Sequence, residues 1–388
     1  MQHVRDASMY YMNYLKGLKE KYKNSIKTRA DGKQVYIYIN RQHISARDVD
    51  SLLRKLIDKG LGLEFYSMYD IFSLWLIWKR DYGSVSGKTL QIYQQQWKKY
   101  FADYAVNYRP LIELTPRDFI LLFREWTKGR KMTGKQFNNL KSIINGIYSY
   151  AIDELDIVHT NPIREIDMRQ FKLKAIRPKN KVFYLEDRKR LLEHLSSKKT
   201  KGINELYSLA IQFDFYVTLR IGELKALKWD NYRNGEIYVE GQTLLTTSME
   251  DDGSFSSGSY ENVDHVKGNT DEGYRWIPVV SKAQEILERV RQINPDGEYI
   301  FMYKGKQIYT ATFNEHLKKY CSEIGIDPEY KGSHSIRFTV ASALFLGGTP
   351  ITEIQRLLGH TTLQMTMHYL KQILPGHQTV AIMEQCLA

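Results

Sequence analysis

A chain of 388 residues with 43% hydrophobic content is long enough to bury cores for two or three domains. Its 56 lysines and arginines against 44 aspartates and glutamates leave a formal charge of +12, a balance that suits a polyanionic partner. Two cysteines, Cys321 and Cys386, are too few for a disulfide framework or a metal cluster, no run approaches the ~20 apolar residues of a membrane span, and the N-terminus lacks an apolar signal core, so a reducing cytoplasm is the expected setting.

In chain order, residues 1–27 read as a basic helix, with Met9, Met12, Leu15 and Leu18 at helical spacing among Lys16, Lys19, Lys21 and Lys23. Asp31-Gly32 predicts a turn, and Val35, Ile37 and Ile39 alternate with Tyr36 and Tyr38 as in a strand. Ser45 then opens a helix carrying Leu52, Leu53, Leu56 and Ile57 and ending at Gly60. Residues 1–64 are therefore expected to form a small separate module.

Residues 65–166 read as all helical. Four apolar, aromatic-rich stripes recur, anchored by Trp75 and Trp78, by Tyr93 and Trp97, by Phe119 and Trp126, and by Ile143 and Ile147, which predicts a four-helix bundle. Its outer faces carry Lys88, Lys98, Lys99, Lys128, Arg130, Lys131, Lys135 and Lys141. Two stretches here imitate phosphate-binding loops. Gly83 to Thr89 has one residue too few between its glycines and follows a helical pattern, and Gly129 to Gly134-Lys135 ends in Gln136 where a magnesium-binding Ser or Thr is needed. Neither supports ATP use.

Asn161-Pro162 ends the last helix, and residues 167–183 form a basic linker with Lys172, Lys174, Arg177 and Lys179. It suits either a connection laid along phosphates or a solvated tether.

Residues 184–388 begin with a helix from Leu185 to Leu195 and a hydrophobic helix from Leu206 to Val217 that positions Arg220. Three strands are expected, at Glu236–Val239, Val263–Lys267 and Tyr274–Val279, with a mobile Ser/Gly/Asp-rich insertion over Leu244–Asn262. Near the end, Ser333 caps a helix running to Leu346 that places His334 and Arg337 on one face. A second helix has Thr349 as N-cap and Pro350 as its first residue, stops at Gly359 and presents His360 at its end; a third, short helix carries Tyr369.

Each of these residues alone has a plainer explanation: a solvated His-x-x-Arg face, an ordinary Gly-His cap, a core tyrosine. Their order changes that. Arg220-Ile221-Gly222-Glu223-Leu224, His334-Ser335-Ile336-Arg337, Leu358-Gly359-His360 and Tyr369 follow one another at the order and spacing that mark the tyrosine recombinases, the phage-type and conjugative-transposon integrases, which this chain resembles. The resemblance is close over Tyr184 to Leu370 and looser before it. One departure is Thr218, where the family often has Gly two residues before the first arginine, so a less tight turn is expected there.

The resemblance implies a mainly α fold with a small antiparallel sheet (α+β), built as a multi-domain DNA clamp: an N-terminal module for accessory DNA sites, or a clamp or oligomer contact; a core-binding bundle; and a catalytic domain over residues 184–388. Lys88, Lys135, Lys141, Lys172, Lys174, Arg177 and Lys179 would contact DNA, or belong to solvated basic faces. Attack on a phosphodiester builds charge on the non-bridging oxygens, which cations or metals must meet. No carboxylate cluster resembles a two-metal site, and His334, His360 and His368 lack metal-motif spacing, so no metal or other cofactor is expected. Arg220 and Arg337 can take that role, with His360 donating a further hydrogen bond. Tyr369 would be the nucleophile and His334 its proton acceptor. By resemblance, Lys267, preceding Arg275-Trp276-Ile277-Pro278, would protonate the leaving 5′ oxygen; Glu223 would orient an arginine or histidine.

The product implied is a 3′-phosphotyrosyl link, resolved by another strand's 5′ hydroxyl with no nucleotide consumed. Recombining two duplexes implies a homotetramer on double-stranded attachment sites, in a bacterial cytoplasm, for integration and excision of a mobile element with a possible directionality factor. The segment with Val380, Ile382, Met383 and Leu387 would dock on a neighbouring subunit or on its own. A type IB topoisomerase and an inactive DNA-binding protein are the alternatives.

Overall fold

The computed structural model describes residues 19, 22–39, 42–58, 66–175 and 181–370. The chain divides into two compact units, Met1–Ile176 with Thr247–Ser257, and Arg177–Thr246 with Gly258–Ala388.

In the first unit, β1 (Lys27–Thr28), β2 (Val35–Ile39) and β3 (Gln42–Ala46) form an antiparallel sheet in that order, covered by α1 (Val49–Asp58). Ile37, Ile44, Leu52, Leu53 and Leu56 make its core. Ser45 is not a helix start. It lies in β3 opposite Tyr36, and the helix begins after Asp48, whose carboxylate accepts the Ser51 N–H at 2.8 Å. Most of the basic helix expected over residues 1–27, and its successor's stop at Gly60, lie outside the described residues.

The bundle comprises α2 (Met68–Asp81), α3 (Gly87–Tyr100), α4 (Pro116–Thr127) and α5 (Gly134–Asp153). Its centre is aromatic: Phe72 stacks on Trp97 at 4.1 Å between ring centres, and Trp97 on Phe101 at 4.7 Å. Both imitation phosphate loops are helix starts. Ser86 caps α3, and Thr133 caps α5 in a capping box whose partner is Gln136, the residue that spoils the loop motif.

The second unit is built on α7 (Ile203–Val217), which is buried along most of its length and encloses Ser208, Gln212 and Asp214 among its apolar residues. Around it pack α6 (Leu185–Ser197), α9 (Ser281–Ile293), α10 (Thr310–Glu323) and α11 (Ser333–Leu346). The short α8 (Ile221–Ala226) follows α7, and α12 (Ile351–Leu358) and α13 (Leu363–Tyr369) follow α11. Gly332, not Ser333, caps α11, its N–H donating to Ser335 Oγ at 3.2 Å, and α12 begins after Pro350 rather than with it.

The sheet of this unit runs β4 (Tyr232–Arg233), β5 (Glu236–Val239), β8 (Arg275–Pro278), all antiparallel. The strand expected over Val263–Lys267 is absent from it, because β5 pairs directly with β8. Val263 instead ends a separate hairpin of β6 (Gln242–Thr246) and β7 (Ser259–Val263). Val266 is buried as a plug, and Gly268 and Asn269 turn the chain with φ of +83° and +47°.

The insertion expected to be mobile is ordered. Residues Thr247–Ser257 belong to the first unit, where Met249 joins the bundle core, Arg80 pairs with Asp251 at 2.9 Å and Gln94 donates to the Gly253 carbonyl at 3.0 Å. Gly87 makes room for this segment, since a Cβ there would lie 1.7 Å from the Thr247 carbonyl oxygen. Its Ser/Gly/Asp composition encodes tight turns rather than mobility.

Candidate active site

The end of α7 sets the site's first arginine. Thr218 takes the left-handed conformation (φ 54°, ψ 45°), which turns the chain out of the helix, and Oδ1 of the buried Asp214 carboxyl accepts the Leu219 N–H at 2.9 Å across the turn. The turn is as tight as a glycine would make it, and the threonine carries the strain. Arg220 follows as the N-cap of α8. Glu223, one turn on, accepts the Arg220 backbone N–H at 2.9 Å and Arg220 Nη1 at 2.7 Å.

The last turn of α12 collects three guanidiniums on consecutive carbonyls. Arg275 Nε donates to Leu357 O at 2.8 Å, Arg337 Nη2 to Leu358 O, and Arg220 Nη2 to Gly359 O at 2.8 Å. The carbonyls that a helix end leaves without partners are thus met by cations, which the helix dipole favours. Gly359 closes the helix at φ +59°, and a Cβ there would sit 2.8 Å from Arg275 Nη1. This is the physical content of Leu-Gly-His: the glycine admits Arg275.

Arg337 is fully buried, with Nη1 on the Thr218 carbonyl at 2.6 Å, so it is tied to both ends of the constellation. Its Nε has no partner among the described residues. Burial lowers its pKa to about 10, which leaves it a cation at neutral pH. Glu223 lies between Arg220 and Arg275, the latter donating from Nη2 at 2.8 Å. Burial alone would raise the Glu223 carboxyl, but the guanidiniums of Arg275, Arg220 and Arg337 hold it at about 2. Asp214 goes the other way, pushed by burial to about 8 against the pull of Arg337.

His360 sits 1% exposed with both ring nitrogens engaged, Nε2 facing Arg337 Nη2 at 3.3 Å and Nδ1 facing Thr366 Oγ1 at 3.1 Å. Burial and the charges of Arg337, Arg220 and Arg275 push its pKa to about 3, so the ring is neutral and Nε2 can accept from Arg337. In this arrangement it orients an arginine rather than offering a free donor. The Tyr369 ring packs against His360 at 4.6 Å and Phe338 at 4.4 Å, and the Arg337 guanidinium lies 5.6 Å from its centre.

His334 faces solvent at the first turn of α11. The protein crowded about its ring, then the charges of Arg337, Lys267, Arg220 and Lys181, lower its pKa and favour the neutral imidazole. Lys267 is exposed in the turn before β8, close enough for its charge to act on His334. All seven residues singled out around the chemistry therefore belong to the second unit. Of the basic residues expected to contact DNA, Lys88, Lys135, Lys172 and Lys174 are exposed and Lys141 is half-buried, while Arg177 and Lys179 lie outside the described residues.

Sequence reading missed Arg275 and Asp214. Each carried a signal: Arg275 shares the inward register of β8 with buried Ile277, and Asp214 is a charged residue within the apolar run Phe213-Asp214-Phe215.

Residues 181–373 match the Phage integrase family. A tyrosine recombinase XerC-like protein of Caldanaerobacter subterraneus subsp. tengcongensis is 24% identical over 269 residues, covering 64% of this chain and 65% of that protein's length. Tyrosine recombinase XerC of Rickettsia canadensis is 27% identical over 267 residues, covering 60% of this chain and 84% of the relative. Among solved structures, the Tn1549 transposon integrase in complex with transposon right end DNA superposes with a TM-score of 0.61 at 20% identity, over 82% of this chain and 99% of the other. A lambda integrase tetramer bound to a Holliday junction gives 0.55 at 15% identity, over 90% and 95%. The fold is thus the mainly α, small-sheet architecture of these integrases.

Proposed function

The chain belongs to the phage integrase family of tyrosine recombinases through residues 181–373, and from that membership we propose that it is a site-specific DNA recombinase of a mobile genetic element. One observation carries the reading: Arg220 and Arg337, distant in sequence, are fixed on adjacent carbonyls, with Arg337 beside the ring of Tyr369.

In the proposed reaction a DNA phosphate sits against Arg220, and the fixed charges of Arg220 and of the buried Arg337 meet the negative charge that develops on the non-bridging oxygens. Tyr369 Oη attacks phosphorus, its proton passes to neutral His334, and the bond to the 5′ oxygen breaks as Lys267 protonates that oxygen. A 3′-phosphotyrosine results, and a 5′ hydroxyl from another strand reverses the steps. Glu223 keeps Arg220 and Arg275 in place, and His360 does so for Arg337.

The wider reading is a homotetramer working on double-stranded attachment sites for integration and excision, which the DNA-bound and tetrameric neighbours support. The bundle and the N-terminal module would grip DNA, and a directionality factor would choose between the two reactions; the tail segment expected to dock on a subunit lies outside the described residues.

Covalent selection tests this. Nicked duplexes of randomised sequence are incubated with the protein, denatured, and captured as protein adducts. The expected result is enrichment of one sequence, linked at Tyr369 and absent with Tyr369→Phe. Capture without sequence preference would indicate a topoisomerase, and DNA retention with no adduct would indicate an inactive binder.

A further inference from the structure

A second basic locus adjoins the nucleophile. A cavity of about 460 Å³ opens beside Tyr369 and His334 and extends past Ser333 and Asn314 to Lys181 and His368. Arg220, Arg337, His360 and Lys267 do not border it, so it is distinct from the seat built on the end of α12. Among the described residues no carboxylate lines it, and its ionisable walls apart from tyrosines are two lysines and two histidines. One of those lysines, Lys331, is already engaged by the Val182 carbonyl and lies over the Phe183 ring. Lys181 pairs with no carboxylate among the described residues and is exposed, so its ammonium is available to an anion.

A cavity with this lining, continuous with the attacking side chain, selects for negative charge. Its volume lies in the ~300–1,000 Å³ range of pockets that take whole small ligands, so it exceeds the need of a bare phosphate and suits one nucleotide. A DNA strand that seats one phosphate on the arginines must carry the next phosphate past Tyr369 on one side or the other. We propose that this cavity receives the nucleotide adjoining the cleaved bond, and that Lys181 neutralises its phosphate. The inference rests on the recombinase reading and adds to it a second phosphate subsite, held by a residue outside the family motifs.

The test uses the full-length protein and the duplex recovered by covalent selection, remade in three forms: with all phosphates, and with a neutral methylphosphonate on the 5′ or on the 3′ side of the cleaved bond. Rates of Tyr369 adduct formation are compared for the wild type, Lys181→Gln and Lys181→Arg. Lys181→Gln should slow capture on the all-phosphate duplex roughly tenfold, the effect of one charge-assisted contact, and flatten the salt dependence of binding by about one unit of slope, while Lys181→Arg stays near wild type. On one of the methylphosphonate duplexes the wild type and Lys181→Gln should react at the same rate, and which one identifies the side. Equal rates on all-phosphate DNA would overturn the subsite, as would an undiminished Lys181→Gln deficit on both methylphosphonate duplexes. A wild type that forms no adduct with any DNA would sink the recombinase reading and this inference with it, a result visible without any variant. Matching thermal melts for the three proteins separate these outcomes from misfolding.

Discussion

Arg220 and Arg337 donate to the neighbouring carbonyls of Gly359 and Leu358, so two side chains 117 positions apart in the chain meet at one helix end. The spacing of the two cations is therefore set by a peptide unit, not by a flexible side-chain contact.

Gly359→Ala should disable cleavage while leaving DNA binding near wild type. The added methyl would meet Arg275 Nη1 at 2.8 Å and Glu272 O at 3.0 Å, and the left-handed φ of +59° adds roughly 1–2 kcal/mol of strain. Adduct formation and gel-shift affinity, measured on the same duplex, would check the split.

Glu223→Ala should destabilise the fold by roughly 3–5 kcal/mol, because it leaves buried Arg275 and half-buried Arg220 without their counter-charge. The carboxyl ionises at about 2 in the fold against 4.5 in the free residue, so its stabilisation is complete above 4.5 and is lost as pH falls toward 2. Urea unfolding at neutral pH gives the magnitude, and a shift near zero would contradict the ion-pair account.

His360 contributes a separate acid sensitivity. The unfolded imidazole binds a proton near 6.5 and the folded one only near 3, so stability should fall as pH drops from 6.5, by at most about 1.4 kcal/mol per pH unit from this residue. Comparing melting temperatures of the wild type and His360→Gln between pH 7 and 4 should show a shallower decline in the variant.

Asp214 should show the opposite sign. Its carboxyl is raised to about 8, so the stabilisation tied to its protonated form is full below 3.8 and lost as pH rises through 8. Asp214→Asn keeps an acceptor for the Leu219 N–H and should gain stability relative to wild type above pH 8. Asp214→Ala, which strips that buried N–H of its acceptor, should be roughly 1–3 kcal/mol less stable than Asp214→Asn at any pH.

Thr218→Gly should be neutral or stabilise by up to about 1 kcal/mol, with cleavage kept, because relief of the left-handed strain is partly offset by glycine's greater freedom when unfolded. A clear loss of stability would mean that the Thr218 side chain contributes something the backbone conformation does not.

What was legible in the sequence follows from where each signal resides. Arg220, His334, Arg337, His360 and Tyr369 lie at helix starts, ends and faces, where caps and 3.6-residue periodicity are written locally. The bundle's aromatic stripes are legible for the same reason. The region between β5 and β8 was misread because pairing there is long-range: whether Val263 joins the sheet or a hairpin depends on competing strands, not on its own neighbours. Likewise the insertion's turn-rich composition is the same for a floppy loop and for a folded segment anchored by Met249. Arg275 escaped because its value lies in partners, Glu223 and the Leu357 carbonyl, that no local pattern reveals.

The arginines of this site are fastened chiefly to main-chain oxygens, those of Thr218, Gly273, Leu357, Leu358 and Gly359. Every amino acid brings the same oxygen, so replacing the side chains at most of these positions cannot erase the fastening. Evolution is consequently free to rewrite the surroundings, provided the glycine and the cations persist. That latitude fits a chain that is 24% and 27% identical to two tyrosine recombinases over the stretches it shares with them.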